Sequence, residues 1–138
     1  MSNITKTIKT SRKKISLIVD ITKTGYSAYA EDFPIFTSGK TISELMENSL
    51  EACQLYFEEQ EIKLSINNLK FQMDFKQFFQ YYRVINSKFL AEKIGMNPTL
   101  LSQYVQGNKK PSVVQTEKIL SGIQQIGKEL SEINLIYR

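Results

Sequence analysis

The chain has 138 residues, with 18 Lys+Arg against 14 Asp+Glu, 41% hydrophobic and 23% charged residues, and no histidine. That length holds one ordinary domain or two small ones and excludes a large multi-domain enzyme. The missing imidazole removes Ser/His and Cys/His triads, histidine-ligated zinc and the usual general base near neutral pH, so no catalytic residue is expected. No apolar run reaches the roughly 18 residues a membrane helix needs, the lone Cys53 has no internal disulfide partner, and the N-terminus lacks a secretory core. A protein of the cytoplasm with no membrane association is the expectation.

Charge is unevenly distributed. Residues 1–14 carry 5 basic groups and no acid, residues 15–60 carry 2 basic and 8 acidic groups, and residues 61–138 carry 11 basic and 6 acidic. The balance runs +5, −6, +5. An acidic middle repels nucleic acid, whereas a basic tail and a basic second half can neutralise phosphates. Residues 1–14 read as a flexible basic tail.

In chain order, Ile15, Leu17, Val19 and Ile21 alternate with polar neighbours, and Lys23-Thr24-Gly25 separates them from Tyr26–Glu31, which predicts a β-hairpin. A short extended piece, Ile35–Thr37, follows Pro34. Thr41 with Glu44 three residues on forms a capping box, and a helix is expected to about Glu59, with Ile42, Leu45, Met46, Ser49, Cys53, Tyr56 and Phe57 on its apolar face. Glu47, Glu51 and Glu58 lie on the other face, a negative stripe for water or a basic partner. Asp20 beside Glu47 or Glu51 is the minimum for a Mg²⁺ nuclease, but a two-metal site needs three or four convergent carboxylates, so neither metal nor cofactor is expected.

These residues carry a resemblance. Asp32-Phe33-Pro34, Thr37-Ser38-Gly39-Lys40-Thr41, Ser43-Glu44-Leu45 and Glu51-Ala52 resemble the HicB antitoxin family, which commonly has glycine where this chain has Ile35. The resemblance implies a β-β-β-α module over residues 15–60, a partial ribonuclease H-like fold without catalytic function. It also implies that an acidic surface including Glu47, Glu51 and Glu58 blocks a small basic HicA-like ribonuclease toxin.

Residues 61–73 read as a linker ending in a short strand, Leu69 to Met73, and residues 74–138 as an all-α domain, making the chain α+β. A helix over about 75–85 bears Phe75, Phe78, Phe79, Tyr81 and Tyr82 at the spacing of a packed core face. Ser87–Asn108 then predicts two short helices around a sharp turn. Ser87 is the expected first cap, Leu90, Ala91 and Ile94 face inward, and Gly95 turns the chain. Asn97 caps the second helix with Pro98 at its first position, Leu101 and Tyr104 point inward, and Gly107 ends it.

That pattern, followed by Lys109-Lys110-Pro111-Ser112, resembles the helix-turn-helix of the Cro/C1 (XRE-like) repressors. Asn97, Pro98, Thr99, Ser102, Gln103 and Gln106 are the expected groove-facing residues, with Gln103 suited to reading adenine, while Lys109 and Lys110 are placed for phosphates. Ser112 with Gln115 opens a last helix whose stripe Val113, Thr116, Ile119, Leu120, Ile123, Ile126, Leu130 and Ile133 runs to the end, with Gly122 and Gly127 either weakening it or permitting close approach of another helix. The expected activity is that of an antitoxin that neutralises its toxin and represses its own operon by binding operator DNA as a homodimer or higher homo-oligomer. The alternative is a stand-alone repressor whose first domain senses a ligand or oligomerises.

Overall fold

A computed structural model describes residues 9–10 and 13–138. The chain is mixed α and β and divides into two compact units, Met1–Asp74 and Phe75–Arg138. Of the expected basic tail, residues 1–8 and 11–12 lie outside the described residues. Lys9 and Thr10 do not form a free tail: they make strand β1 (Lys9–Thr10), which pairs in parallel with β5 (Ile62–Lys63).

The first unit is built on β2 (Ile15–Ile21), β3 (Tyr26–Ala30), β4 (Phe36–Gly39) and β6 (Leu69–Met73), ordered β4-β3-β2-β6. The hairpin forms as the alternation predicts, with Leu17 opposite Ala30 and Ile21 opposite Tyr26, and the Thr22 amide donates to Gly25 O (2.8 Å) across the turn. Ile15, Leu17, Val19, Tyr26, Ala28 and Ala30 bury one face of the sheet, and α1 (Ile42–Tyr56) adds Leu45, Ser49 and Cys53 to the same core. Thr41 Oγ1 accepts the Glu44 amide (3.0 Å), the N-cap half of the expected capping box. Ser49 is buried among apolar neighbours without penalty because its hydroxyl donates to Leu45 O (2.6 Å). Ile35 is a core residue.

Three expectations change here. The helix stops at Tyr56: Phe57 caps it, and Glu58–Gln60 tighten into a single 3-10 turn. Tyr56 is exposed rather than in the core, its ring stacked edge-on to Phe57 at 4.8 Å. Residues 61–73 are no linker. Leu64 and Leu69 are buried in the first core, and β6 pairs in parallel with β2, Ile15 opposite Leu69 and Val19 opposite Met73. The approach to β6 is tied on both sides: Gln54 Nε2 donates to Leu64 O (3.1 Å), Asn68 Nδ2 to Lys13 O (2.9 Å) and Lys14 Nζ to Asn67 O (2.8 Å). The Lys13 ammonium sits 4.3 Å from the Phe57 ring centre, a cation–π contact.

The second unit holds α2 (Phe75–Tyr81), α3 (Ser87–Ile94), α4 (Pro98–Gln106) and α5 (Val113–Glu132). Phe79, Leu90, Ala91, Met96, Leu101, Tyr104 and Ile119 form its core. α2 is shorter than expected because the Ile85 amide turns back to Tyr82 O (3.0 Å) and Asn86 becomes extended to start the next helix. Asn86, not Ser87, is the α3 cap, its side chain accepting the Phe89 amide (3.0 Å). Ser112 Oγ accepts the Gln115 amide (3.1 Å) at the start of α5. Along α5, Ile119 is buried and Ile123 and Ile126 pack on the core, whereas Val113, Leu120, Leu130 and Ile133 are exposed. Among the described residues no helix is long and apolar enough to cross a membrane.

The two mid-helix glycines of α5 differ. A Cβ on Gly122 runs into Ile94 Cγ2 and stands 3.6 Å from Leu90 Cδ1, whereas one on Gly127 meets nothing within 4 Å. Ile94 is β-branched and stiff, so α3 and α5 pack this closely only over a glycine. Gly127→Ala should therefore gain up to about 1 kcal/mol in urea unfolding, the ordinary helix-propensity gain. Gly122→Ala should lose about 1–3 kcal/mol despite the same propensity term. The Cys53 thiol is fully buried, and burial raises its pKa. It should stay unlabelled by a thiol reagent in the native protein and react completely in denaturant.

Candidate functional site

The α3-turn-α4 segment is defined by its own backbone chemistry. α3 ends on Gly95 at φ +69°, in the left-handed region where glycine carries no Cβ penalty, and the Met96 amide donates to Ala91 O (2.9 Å). The chain then extends through Asn97, whose side-chain oxygen accepts the amides of Thr99 (2.8 Å) and Leu100 (3.3 Å), with Pro98 at the first helical position. Leu101 and Tyr104 turn inward and fix the rotation of α4 about its axis.

That rotation leaves Thr99, Ser102, Gln103 and Gln106 on one side, at i, i+3, i+4 and i+7. Thr99 and Gln106 are exposed, and Ser102 and Gln103 are half-buried. Gln106 Nε2 donates to Ser102 Oγ (3.2 Å), and Asn108 Nδ2 donates to Gln106 Oε1 (3.2 Å). The Gln103 side chain has no hydrogen bond to another described residue, so its amide is available to a ligand. The polar face extends about 10 Å along the helix at 1.5 Å per residue. Pro98 is exposed at the α4 start, and Asn97, also exposed, spends its acceptor oxygen on capping.

Lys109 and Lys110 are exposed just beyond α4, where the Asn108 and Lys109 amides fold back onto Gln103 O (2.9 and 3.3 Å). A third cation lies beside Gly107, at the end of α4. The Lys76 stem from α2 runs along Gly107, its Cδ 3.3 Å from where a Cβ would stand. Sequence reasoning missed Lys76 because its neighbour is 31 residues away and no local pattern marks it. The second unit carries 9 basic and 4 acidic groups, a surplus of five.

In the first unit, Glu47, Glu51 and Glu58 are all exposed, as are Glu44 and Glu59. On α1, Leu55 shares the outward face with Glu44, Glu47 and Glu51 and is 63% exposed. A solvent-facing leucine among carboxylates is a feature that the charge pattern alone did not mark. Asp20 does not join them: it points off the sheet face opposite the one buried against α1. Among the described residues no three His, Cys, Asp or Glu side chains gather into a metal-ligand set.

No protein-family model matches the chain, and no curated protein matches it. Asn97→Ala should cost about 1 kcal/mol of stability in urea unfolding, because two α4 amides lose their acceptor.

Proposed function

We propose that the protein is a DNA-binding antitoxin of the HicB type, in which α4 reads an operator and the outward face of α1 binds a small basic ribonuclease toxin. The observation that carries the DNA-binding half is the α4 polar face. Short hydroxyl and amide side chains sit on one side of a capped helix, after a left-handed glycine turn, with three lysines at the far end. A Gln amide donates and accepts at once, which matches the adenine edge in a major groove, and Thr99 suits a thymine methyl or a phosphate. Lys76, Lys109 and Lys110 position the helix through phosphates. Such helices read palindromic sites as dimers, so the protein acts as a homodimer on a two-fold operator.

The antitoxin half is supported by the exposed carboxylates around Leu55 on α1 and by the resemblance of residues 32–52 to the HicB pattern. Acidic groups around an apolar anchor complement a basic nucleic-acid-binding surface and cover it without chemistry of their own. The first unit would carry the partial ribonuclease H-like module that the resemblance implies.

On the operator, Gln103→Ala should cost about 1–3 kcal/mol and relax the preference at one base pair, whereas Lys109→Ala and Lys76→Ala should weaken all DNA alike and flatten the salt dependence. Identical behaviour of the Gln103 and Lys109 variants would contradict the orientation of α4. Charge reversal at Glu47 and Glu51 together should weaken toxin binding in calorimetry and leave operator affinity unchanged. An unaltered toxin affinity would argue against α1 as the docking face and favour a stand-alone repressor.

A further inference from the structure

The sheet of the first unit ends in an open edge. In the order β4-β3-β2-β6, β4 has one neighbour, β3. The Ala30 amide donates to Ile35 O (3.0 Å), and the register sets Thr37 opposite Ala28 and Gly39 opposite Tyr26. Backbone groups alternate along an antiparallel strand, so Thr37 and Gly39 turn theirs to β3, and Phe36 and Ser38 turn theirs outward. The Ser38 carbonyl accepts from Asn48 Nδ2 of α1 (2.8 Å), whereas among the described residues the Phe36 amide, the Phe36 carbonyl and the Ser38 amide meet no hydrogen-bond partner. Pairing is continuous along Phe36-Thr37-Ser38-Gly39, which holds none of the lysines, prolines or bulges that protect a bare edge.

The Asn48 bond fixes what lies beside that edge. Glu44, Glu51 and Leu55 stand at i−4, i+3 and i+7 from Asn48, on the same stripe of α1, and all three are exposed. Among the described residues no cation pairs with Glu44 or Glu51. On the other side of the sheet, Phe36 is 70% exposed beside its cross-strand partner Tyr29, on the face that α1 leaves uncovered. A strand added to β4 therefore alternates between two environments: side chains on the helix side meet the carboxylates, and those on the far side meet the Phe36 ring.

We infer that the β4 edge takes up an extended segment of a partner protein by strand addition, and that this segment alternates basic and apolar side chains. Main-chain hydrogen bonds to Phe36 and Ser38 supply the attachment, and the two side-chain environments supply the selectivity. Charge selects the occupant. A second copy joined through its own β4 would bring its Glu44 and Glu51 against these, and nucleic acid meets the same repulsion, whereas lysine or arginine at alternate positions is drawn in. The inference deepens the reading of α1 as the docking face for a basic toxin and rests on it for the sign of the occupant's charge, but the strand addition is measured separately.

The test is amide hydrogen exchange, read by NMR on the full chain titrated to millimolar concentration with a capped hexapeptide of alternating lysine and valine. Exchange of the Phe36 and Ser38 amides should slow at least tenfold as the peptide saturates. The same peptide N-methylated at alternate residues keeps its charge but loses a row of donors, and should bind at least tenfold more weakly. Ser38→Pro removes an outward N–H that β3 does not use, and should weaken binding at least tenfold with an unchanged circular dichroism spectrum. Glu44→Lys with Glu51→Lys should weaken it by a similar factor. Phe36 and Ser38 amides that exchange throughout the titration as in the protein alone, or an N-methylated peptide that binds as tightly as its parent, would overturn the inference. Binding lost on charge reversal but kept by Ser38→Pro and by the N-methylated peptide would overturn the strand addition and leave α1 standing as the docking face. Equal uptake of a glutamate-valine hexapeptide would overturn the basic occupant, and the reading of α1 with it.

Discussion

The first unit depends on one long-range pairing, the parallel ladder between β2 and β6. It joins Ile15–Val19 to Leu69–Met73 across more than fifty residues, and a parallel neighbour cannot be reached by a tight turn. α1 and the approach to β6 supply the return path. Without that ladder β2 would be a sheet edge, its outer amides and carbonyls unpaired, and the sheet would shrink to the β4-β3-β2 meander. The pairing also sets where the first unit stops: β6 ends at Met73, and α2 of the second unit starts at Phe75.

Each unit then carries its own surface chemistry. In the first, packing uses one side of α1 for Leu45, Ser49 and Cys53, and the outward side is left acidic around Leu55. In the second, Leu101 and Tyr104 consume the inner side of α4, which dictates that Thr99, Ser102, Gln103 and Gln106 share the other. The same core residues that stabilise the fold therefore aim the polar ones, and a change at Leu101 would re-aim that face.

Local signals were legible in the sequence. The period-two hairpin, the Thr41 and Asn97 caps, the Gly95 turn and the inward Leu90, Ala91, Leu101 and Tyr104 all depend on neighbours within a few residues, and the structure reproduces them. Non-local features were not legible. β6 reads as a stray strand because its partner lies more than fifty residues upstream, and residues 61–68 look like a linker because Asn68 and Leu64 are held by distant groups. Ser87 and Asn86 are both good caps, and only the backbone geometry decides between them. Helical spacing placed Tyr56 in the core, but at the last turn of α1 it stays exposed, its ring against those of Phe33 and Phe57. At the site, the α4 face followed from periodicity, whereas Lys76 needed tertiary contact and Leu55 needed exposure to be noticed.

Whether α4 reads DNA is decided by fluorescence anisotropy: the protein is titrated onto the DNA immediately upstream of its own coding sequence and onto a scrambled duplex, across a salt series. Tight binding to the upstream DNA, with a clear excess over the scrambled duplex that persists as salt rises, is the predicted result. Equal, weak binding to both duplexes that collapses with salt would contradict it.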